Sequence, residues 1–470
     1  MSLPNTHFGP QGIAATLGRG RRLHFIGIGG VHMSAMASFA AEKGFTVTGS
    51  DRAANPYTAA LERAGIPVYY GHDASRVVEC DGVIYTLAIS PDNPEYTTAR
   101  RLGVPVFSRA DFLSFLMAQY PCRIGVAGSH GKSTVTAMLA EIFTVAGRDP
   151  TVFCGAPLCR KGPTVQQGKG SDAIFEACEY QDSFLCFDPT VAVILNAERD
   201  HVDYFQSDQA LERSFCHFAA CPGEQGMLIC NAEDPMTPRL LQATPGRGYT
   251  FGIEVGDYHA AELIFASGKG RFEVVLPNGE HTEPMGLRVP GRHNVANAIA
   301  AFAVAHLCHV SPRAILTALA SFSGAGRRME YRGMLRGARV FDDYAHHPTE
   351  IAATLQTARE MVERGRVFAV FQSHTYSRTA AFFGEICQSL RLADRVAIAP
   401  IYPARETETL GMDAARLAAG VGECAIAPGD LPAIGAWLLQ ELCPGDLCVV
   451  MGAGNIDRIF TEILQKHFTL

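Results

Sequence analysis

The fold is decided by the stretch Gly125-Val126-Ala127-Gly128-Ser129-His130-Gly131-Lys132-Ser133-Thr134. It follows an apolar segment that predicts a short strand and precedes a helix-forming run that starts at Thr136. A strand, a glycine-rich turn, Lys-Ser and a helix form a cradle for nucleotide phosphates, because backbone N–H groups and the helix N-terminus attract anions. Lys132 is then placed to reach the β- and γ-phosphates, and the Ser133 hydroxyl to hold Mg²⁺. The stretch therefore predicts ATP chemistry.

The loop departs from the common phosphate-loop spacing at one position. Four residues usually separate its two glycines, which puts Val126 where the first glycine is expected. The glycines that serve the turn are Gly128 and Gly131. A helix entered through a glycine turn with an incidental lysine is the structural alternative. The position of Gly-Lys-Ser-Thr at a strand–helix junction favours the phosphate cradle.

Bulk properties restrict the class of protein. The 470 residues predict two to four domains. A net charge of −7 argues against a general nucleic-acid or membrane-surface binder. The fourteen cysteines include no Cys-x-x-Cys pair, so we expect reduced thiols in a cytoplasmic protein. No apolar run is long enough to span a membrane, and residues 1–20 lack a signal-peptide core and are expected to be loose.

The first segment, residues 1–118, predicts a Rossmann-like domain. Leu23–Ile28 indicates a buried strand that leads into a glycine turn, a helix and a second strand ending at Asp51. Gly27 and Gly29 have the spacing of a dinucleotide fingerprint, but His32 replaces its third glycine. The pattern by itself is compatible with NAD, FAD or a nucleotide sugar, and also with a plain α/β turn.

The second segment, residues 119–324, holds the phosphate loop and two further strand ends rich in polar residues. One strand leads into Glu176 and the other into Asn196–His201. Ligand-binding residues of parallel sheets collect at the carboxyl ends of strands. Mg²⁺ prefers hard oxygen ligands, so Ser133 and Glu176 are candidate ligands, and His201 is a candidate for a second magnesium site. A salt bridge for Glu176 and a hydrogen-bonded strand-end role for His201 are the structural alternatives.

The third segment, residues 325–470, repeats the alternation of strands and helices. A glycine-rich basic hinge precedes it, and strands are predicted at Val340–Asp343, Val367–Phe371 and Asp446–Met451. The predicted fold class is α/β with three domains. These are an N-terminal Rossmann-like domain, a central phosphate-loop ATPase-like parallel sheet with β-hairpin additions, and a C-terminal Rossmann-like α/β domain.

Motifs along nearly the whole chain resemble those of the Mur ligase family. They are Gly27 to Ser34, Gly128 to Thr134, Asn196 to Asp203, Gly291 to Asn294, Asp342 to Pro348 and Met451 to Asn455. The resemblance implies one domain each for a UDP-sugar, ATP and an amino acid. It also implies an ATP-dependent amide ligase of peptidoglycan precursor synthesis that adds L-alanine to UDP-N-acetylmuramate through an acyl phosphate. The turn at Val31–Met33 and the double histidine before Pro348 favour the alanine-adding member.

The resemblance also assigns site residues. Lys132, Glu176 and His201 are the catalytic candidates, and Ser133, Glu176 and His201 are the candidate ligands of Mg²⁺. ATP is assigned Gly128, Ser129, His130, Gly131, Lys132, Ser133, Thr134, Asn294, Asn297, Arg327 and Asp343. The UDP-sugar is assigned Gly27, Gly29, Gly30, His32, Ser50, Asp51, Ser90 and Asn93. The amino acid is assigned His346, His374 and Arg378, with Arg378 gripping its carboxylate. The expected partners are these small molecules, with no nucleic acid and no membrane, on a monomer or homodimer.

Two positions depart from the pattern of relatives, and rival functions stay open. Thr375 stands where relatives often carry an arginine, so the carboxylate grip rests on fewer charges. Cys178 replaces a common acidic residue, and we expect it to be buried and inert. The rivals are a recycling ligase that joins a peptide to the same UDP-sugar, a dehydrogenase fused to a phosphate-loop module, and a nucleotide-binding regulator without turnover.

Overall fold

The computed structural model of the chain describes residues 3–159, 162–202 and 204–469. Three α/β sheets follow one another along the chain, as the alternation of strands and helices predicts. The α/β class is confirmed. The limits 1–118, 119–324 and 325–470 of the three domains stay a prediction. Asp203, the last residue of one family motif, lies outside the described residues.

The N-terminal sheet is parallel, with strand order β3-β2-β1-β4-β5. Phe25 and Ile26 of β1 are buried in two different hydrophobic clusters, because both faces of this strand are covered. The strands are β1 (Arg22–Ile26), β2 (Thr46–Asp51), β3 (Val68–Tyr70), β4 (Gly82–Tyr85) and β5 (Val106–Ser108). The helices are α1 (Gly9–Leu17), α2 (Val31–Glu42), α3 (Pro56–Arg63), α4 (Pro94–Leu102) and α5 (Arg109–Met117).

The expectation of a loose N-terminus is wrong for the described residues. Helix α1 buries Ile13 and Leu17. The backbone amides of Phe8 and Gly9 donate to the buried Asp111 carboxylate of α5 at 2.9 and 3.0 Å. The sequence showed no signal core here, but two apolar residues four positions apart on a helix suffice to anchor it.

The central sheet has strand order β12-β11-β10-β6-β9-β7-β8, and only the β7–β8 pair is antiparallel. A three-stranded antiparallel sheet, β13-β14-β15, follows, as the hairpin turns predicted. The strands are β6 (Cys122–Ala127), β7 (Thr151–Phe153), β8 (Val165–Gln166), β9 (Asp172–Glu176), β10 (Val191–Ile194), β11 (Met227–Asn231), β12 (Arg247–Phe251), β13 (His259–Ala266), β14 (Lys269–Val275) and β15 (Met285–Gly286). The helices are α6 (Lys132–Val145), α7 (Asp208–Ala220), α8 (Thr237–Ala243), α9 (Arg292–Leu307) and α10 (Pro312–Ser321).

The C-terminal sheet has strand order β20-β19-β18-β21-β17-β16-β22 and is parallel except at the two pairings of β16. The strands are β16 (Glu330–Leu335), β17 (Ala338–Asp343), β18 (Val367–Phe371), β19 (Arg395–Ile398), β20 (Ala425–Ile426), β21 (Leu447–Met451) and β22 (Phe468–Thr469). The helices are α11 (Pro348–Met361), α12 (Tyr376–Ala381), α13 (Phe383–Leu390), α14 (Ala414–Val421) and α15 (Leu431–Glu441).

Hydrophobic packing joins the first two sheets. One buried cluster contains Phe112 and Leu113 of α5 together with Phe184 and Phe187 from the central part of the chain. All fourteen cysteines lie in the described part of the chain, and each is a free thiol. Within that part, no helix combines the length and the hydropathy that crossing a bilayer requires.

Candidate active site

The phosphate loop connects β6 to α6 at the carboxyl edge of the central sheet. Gly131 forms the N-cap of α6 with a φ of 84°, in the left-handed region where a side chain is strained. Asn196, which follows β10, holds the loop from both sides. Its Oδ1 accepts from the His130 amide at 2.8 Å, and its Nδ2 donates to the His130 carbonyl at 3.2 Å. The first turn of α6 therefore presents its backbone N–H groups in a fixed orientation.

Lys132 is paired with a carboxylate that the sequence analysis did not assign. Its Nζ lies 3.0 Å from Oε2 of Glu179, and it also donates to the carbonyls of Gly128 and Ser129. Burial opposes the charge on Lys132, but the Glu179 carboxylate outweighs it and raises the pKa of the ammonium group. Lys132 is consequently a permanent cation at the phosphate loop.

His201 approaches the same carboxylate. Its Nε2 is 3.6 Å from Oε1 of Glu179, and its backbone adopts a φ of 51°, which is uncommon for a residue with a side chain. Glu176 instead accepts from the Gly155 amide and from the Cys154 thiol, the latter at 3.2 Å. The structure thus brings Lys132, Glu179 and His201 into one cluster, and Glu176 lies beside it with its carboxylate held by the loop after β7.

Sequence spacing could not choose between the two glutamates. Glu176 ends β9 and Glu179 follows three residues later, just before a kink at Gln181 and Asp182, whose φ angles are 52° and 55°. Cys178 of the same turn is half-buried rather than buried. Burial and the Glu179 carboxylate raise the pKa of its thiol to about 11, so it stays protonated near neutral pH, consistent with the inert role expected for it.

A cavity of about 250 Å³ opens between the phosphate loop and the C-terminal domain. His130, Gly131 and Thr134 line it from the loop, and Asn294 and Asn297 from the first turns of α9. The C-terminal wall of the same cavity is formed by Arg328, Asp343 and Glu350. Six of the eleven residues assigned to ATP therefore surround one cavity.

Two basic residues at the hinge are placed differently from one another. Arg327, which was assigned to ATP, donates to the Gly452 carbonyl at 2.7 Å and pairs with Asp342 at 3.4 Å. Arg328 is the one that lines the cavity. Burial raises the pKa of Asp343 to about 6, although Arg328 and two backbone amides oppose the shift. The two adjacent arginines could not be separated from sequence alone, because the turn at the hinge decides which one faces inward.

A second cavity, of about 550 Å³, lies on the other side of His201. His201, His374 and Arg378 line it, together with Arg405 and Glu406. This cavity therefore joins the Lys132–Glu179–His201 cluster to two of the residues assigned to the amino acid.

The third of these residues, His346, lies close to the second cavity. Its ring centroid is 6.1 Å from that of His374. Burial lowers the pKa of His346 to about 3 and that of His374 to about 4, and the Arg378 cation adds to both shifts. Both imidazoles are therefore neutral near neutral pH.

Arg378 is buried against a carboxylate from the central domain. Its Nε and Nη2 donate to Oδ1 of Asp200 at 3.0 and 2.7 Å, and its Nη1 lies 3.3 Å from Nδ1 of His374. Burial opposes the charge of Asp200, but His201 and Arg378 hold its pKa well below the usual range. One edge of the guanidinium is thus engaged by the protein, which the sequence analysis did not anticipate.

The glycine turn of the N-terminal domain packs tightly on its neighbours. A Cβ atom on Gly29 would lie 2.6 Å from Nδ2 of Asn55 and 2.8 Å from Oδ2 of Asp51. The Asp51 carboxylate accepts from the Gly29 amide at 2.8 Å. His32 reaches the central domain, where its Nε2 lies 2.7 Å from the Cys154 carbonyl oxygen. The contact of His32 places the turn next to Cys154, the residue that directly follows β7.

Three other residues assigned to the UDP-sugar use their side chains inside the domain. Ser50 is fully buried and donates to Glu95, and Asn93 caps α4 through bonds to the amides of Glu95 and Tyr96. Ser90 donates to Asp92. Gly27 has a φ of 81° and donates its amide to the Ser50 carbonyl. These contacts occupy the Ser50 and Ser90 hydroxyls and Oδ1 of Asn93, and the assignment of these residues to the UDP-sugar stays a prediction.

A phosphate loop at the carboxyl edge of a parallel sheet, flanked by two further α/β sheets, defines a multidomain nucleotide-binding protein. Three family profiles match the chain in order. They are the Mur ligase family catalytic domain over residues 22–121, the Mur ligase middle domain over 126–305 and the Mur ligase glutamate ligase domain over 327–454. The chain belongs to the Mur ligase family.

Known relatives agree with this assignment. The chain is similar to the UDP-N-acetylmuramate–L-alanine ligase of Caldanaerobacter subterraneus subsp. tengcongensis, with 38% identity over 95% of this chain and 98% of the relative. The same named ligase of Caldicellulosiruptor bescii is 39% identical over 94% of this chain and 98% of the relative. The crystal structure of UDP-N-acetylmuramate-alanine ligase from Thermotoga maritima has a TM-score of 0.78 and 28% identity, and covers 95% of this chain and 98% of that chain.

Proposed function

We propose that this chain is an ATP-dependent ligase that joins L-alanine to the carboxylate of UDP-N-acetylmuramate in peptidoglycan precursor synthesis. The names of relatives at about 38% identity over nearly the whole chain support this function. The observation that carries it is the position of His201. This residue contacts Glu179 of the Lys132 cluster and also lines the second cavity, where His374 and Arg378 lie. The fourteen free thiols suit a reducing cytoplasm.

The first chemical step turns a poor electrophile into a reactive one. The substrate carboxylate attacks the γ-phosphorus of ATP, the bond to the β-phosphate oxygen breaks, and an acyl phosphate and ADP form. Negative charge is spread over the γ-phosphoryl oxygens in the transition state. Lys132 and the backbone N–H groups of α6 face this charge, and the pairing of Lys132 with Glu179 fixes its position before the substrate arrives.

The residues beside Lys132 suit a magnesium ion. Ser133, Glu176 and Glu179 offer hydroxyl and carboxylate oxygens, which Mg²⁺ prefers, and His201 stands next to them. When bound, Mg²⁺ would neutralise charge on the β- and γ-phosphates. We therefore add Glu179 to the candidate ligands Ser133, Glu176 and His201.

In the second step the neutral amine of L-alanine attacks the acyl carbon, the bond from this carbon to the phosphate oxygen breaks, inorganic phosphate leaves, and the nitrogen loses a proton to give the amide. The second cavity supplies the groups that an amino acid needs. Arg378 and Arg405 offer cationic donors for its carboxylate, which offsets the missing arginine at Thr375. The imidazole of His374 accepts from Arg378 through Nδ1, and His346 lies beside it. Because both imidazoles are neutral, they add no charge that would repel the ammonium group.

The experiment measures ADP release and the product mass with ATP, Mg²⁺ and UDP-N-acetylmuramate, with and without L-alanine. We expect ADP release to require both substrates and the product to gain one alanyl residue. Equal ADP release with and without alanine would contradict the proposal. A parallel reaction with a short peptide in place of alanine tests the recycling activity, and faster turnover with the peptide would assign the chain to that activity instead.

A further inference from the structure

A second group of potential metal ligands lies at the junction of the central and C-terminal domains. His130 belongs to the phosphate loop, Glu198 belongs to the loop after β10, and His347 is the N-cap residue of α11. One ligand atom of each side chain lies within 4.8 Å of the other two. None of the three was assigned to a metal by the sequence, because 217 positions of chain separate the first from the last and only the domain packing brings them together.

The distances suit a tetrahedral ion. His130 Nε2 is 3.5 Å from Oε2 of Glu198, and His347 Nδ1 is 3.9 Å from the same oxygen. Zinc binds nitrogen and carboxylate oxygen at about 2.0–2.2 Å, so its tetrahedral ligand atoms are separated by roughly 3.3–3.5 Å. The ligand atoms of His130 and His347 lie within 4.8 Å of one another, so the side chains would have to move closer together around an ion.

Hydrogen bonds set the orientation of both imidazoles. His130 Nδ1 is 3.3 Å from Oε1 of Glu350, and His347 Nε2 is 3.1 Å from the carbonyl oxygen of Arg199. In each ring the outer nitrogen therefore faces an acceptor, and the other nitrogen faces Glu198. His347 Nδ1 accepts from the Thr349 amide at 3.4 Å, and Oε2 of Glu198 accepts from the Thr349 hydroxyl at 2.6 Å, so a bound ion would replace these two contacts. Metal-bound histidines in proteins are oriented by the same kind of outer partner.

One ligand atom has an ion-pair contact, with Oε2 of Glu198 at 3.5 Å, but no hydrogen bond. Within the described part of the chain, the buried Nε2 of His130 makes no hydrogen bond. Buried polar atoms are nearly always paired, so such an atom needs a reason. The side chain of His347 is 6% exposed and that of Glu198 is 38% exposed, which leaves an open path to the cluster on the Glu198 side.

We propose that His130, Glu198 and His347 bind one transition-metal cation, Zn²⁺, at the junction of the two domains. Two imidazoles and one carboxylate favour Zn²⁺ over Mg²⁺, which prefers oxygen ligands, so this site is distinct from the one proposed beside Lys132. The ion would link the phosphate loop to the start of α11 at the wall of the cavity of about 250 Å³, which His130 and Glu198 line. Zinc therefore stabilises the contact between the central and C-terminal domains.

The test is calorimetric titration of the whole, nucleotide-free protein with Zn²⁺ in the presence of excess Mg²⁺, which fills sites that prefer oxygen ligands. Co²⁺ serves as a second probe, because its visible absorption reports tetrahedral coordination. The variants are His347→Gln and Glu198→Gln. The matched control is His281→Gln, which removes a surface histidine that pairs with Glu273 at 3.0 Å.

We expect one zinc ion to bind with a dissociation constant of micromolar or below. Loss of an outer partner alone costs about 10–100-fold in metal affinity, so loss of a ligand in either variant costs at least about 100-fold. Zinc raises the melting temperature of the wild type and of His281→Gln but not of His347→Gln. Equal zinc affinity in all four proteins, or a wild type that binds no zinc at micromolar concentration, would overturn the proposal. Melting curves in a chelator verify that each variant is folded.

Discussion

Replacing Lys132 by methionine separates its role in stability from its role in catalysis. The side chain of Lys132 is 15% exposed and that of its partner Glu179 is 2% exposed, so the pair is buried. Removing one partner of a buried ion pair costs about 3–5 kcal/mol, because the remaining charge stays uncompensated. His201 lies 3.6 Å from Glu179 and can take over part of the pairing. We therefore expect a loss near the lower end, about 3 kcal/mol.

Scanning calorimetry measures this loss, because the separate transitions of a multidomain protein can be resolved. A loss of about 3 kcal/mol in a domain of about 150–250 residues lowers its melting temperature by roughly 6–12 °C. Turnover should fall by about 10²–10³-fold, the usual effect of removing one group that stabilises transition-state charge.

The double variant Lys132→Met/Glu179→Gln is the control that distinguishes the two effects. It removes both charges, so most of the melting temperature should return while turnover stays low. An unchanged melting temperature in Lys132→Met would refute the buried pairing. Full turnover in either variant would refute the role of Lys132 at the γ-phosphate.

Three further predictions concern other parts of the molecule. Arg378→Lys loses the two hydrogen bonds to Asp200. We expect the KM for L-alanine to rise about tenfold or more in initial-rate assays, while the KM for ATP changes little. A KM for L-alanine equal to that of the wild type would remove Arg378 from the amino-acid site. Gly131→Ala places a Cβ 2.7 Å from Oδ1 of Asn297 at a φ of 84°, so ATP affinity measured by calorimetry and the melting temperature should both fall, the latter through a cost of at least about 1–2 kcal/mol; wild-type behaviour would contradict the loop geometry. Glu95 is fully buried, and burial opposes its charge, but hydrogen bonds from its neighbours lower its pKa to about 2. The stabilising contribution of the Glu95 carboxylate is therefore present above about pH 4.5 and is lost as the pH falls through about 2. The melting temperatures of wild type and Glu95→Gln should accordingly differ most at neutral pH and converge in acid, and a constant difference would contradict this pKa.

Short stretches of sequence were sufficient to predict most strands and helices and the position of the phosphate loop. Val367–Phe371 is an uninterrupted apolar strand in both the sequence analysis and the structure, because a strand buried on both faces needs no alternation. The helix after the glycine turn of the N-terminal domain begins at Val31, three residues earlier than Ser34, where the sequence placed it. Helix ends are set by capping geometry, which residue type indicates only approximately.

The sequence could not decide which of two neighbouring residues of the same type belongs to the site, and the tertiary structure was needed for this choice. Glu179 rather than Glu176 contacts Lys132, and Arg328 rather than Arg327 lines the cavity of about 250 Å³ beside the phosphate loop. In both cases the two candidates stand close together in sequence, and irregular backbone with positive φ angles lies beside them, at Gln181 and Asp182 in one case and at Arg327 and Met329 in the other. Sequence patterns carry the period of helices and strands but not the direction of such turns.

The amino-acid sequence by itself determined the α/β class, the order of the three sheets and the presence of a phosphate loop, because hydrophobic periodicity and Gly-Lys-Ser-Thr act over a few neighbouring residues. Only the tertiary structure decided that Arg378 pairs with Asp200 and that His130, Glu198 and His347 meet. These contacts join residues about 70 to 220 positions apart, and their formation depends on how whole domains pack.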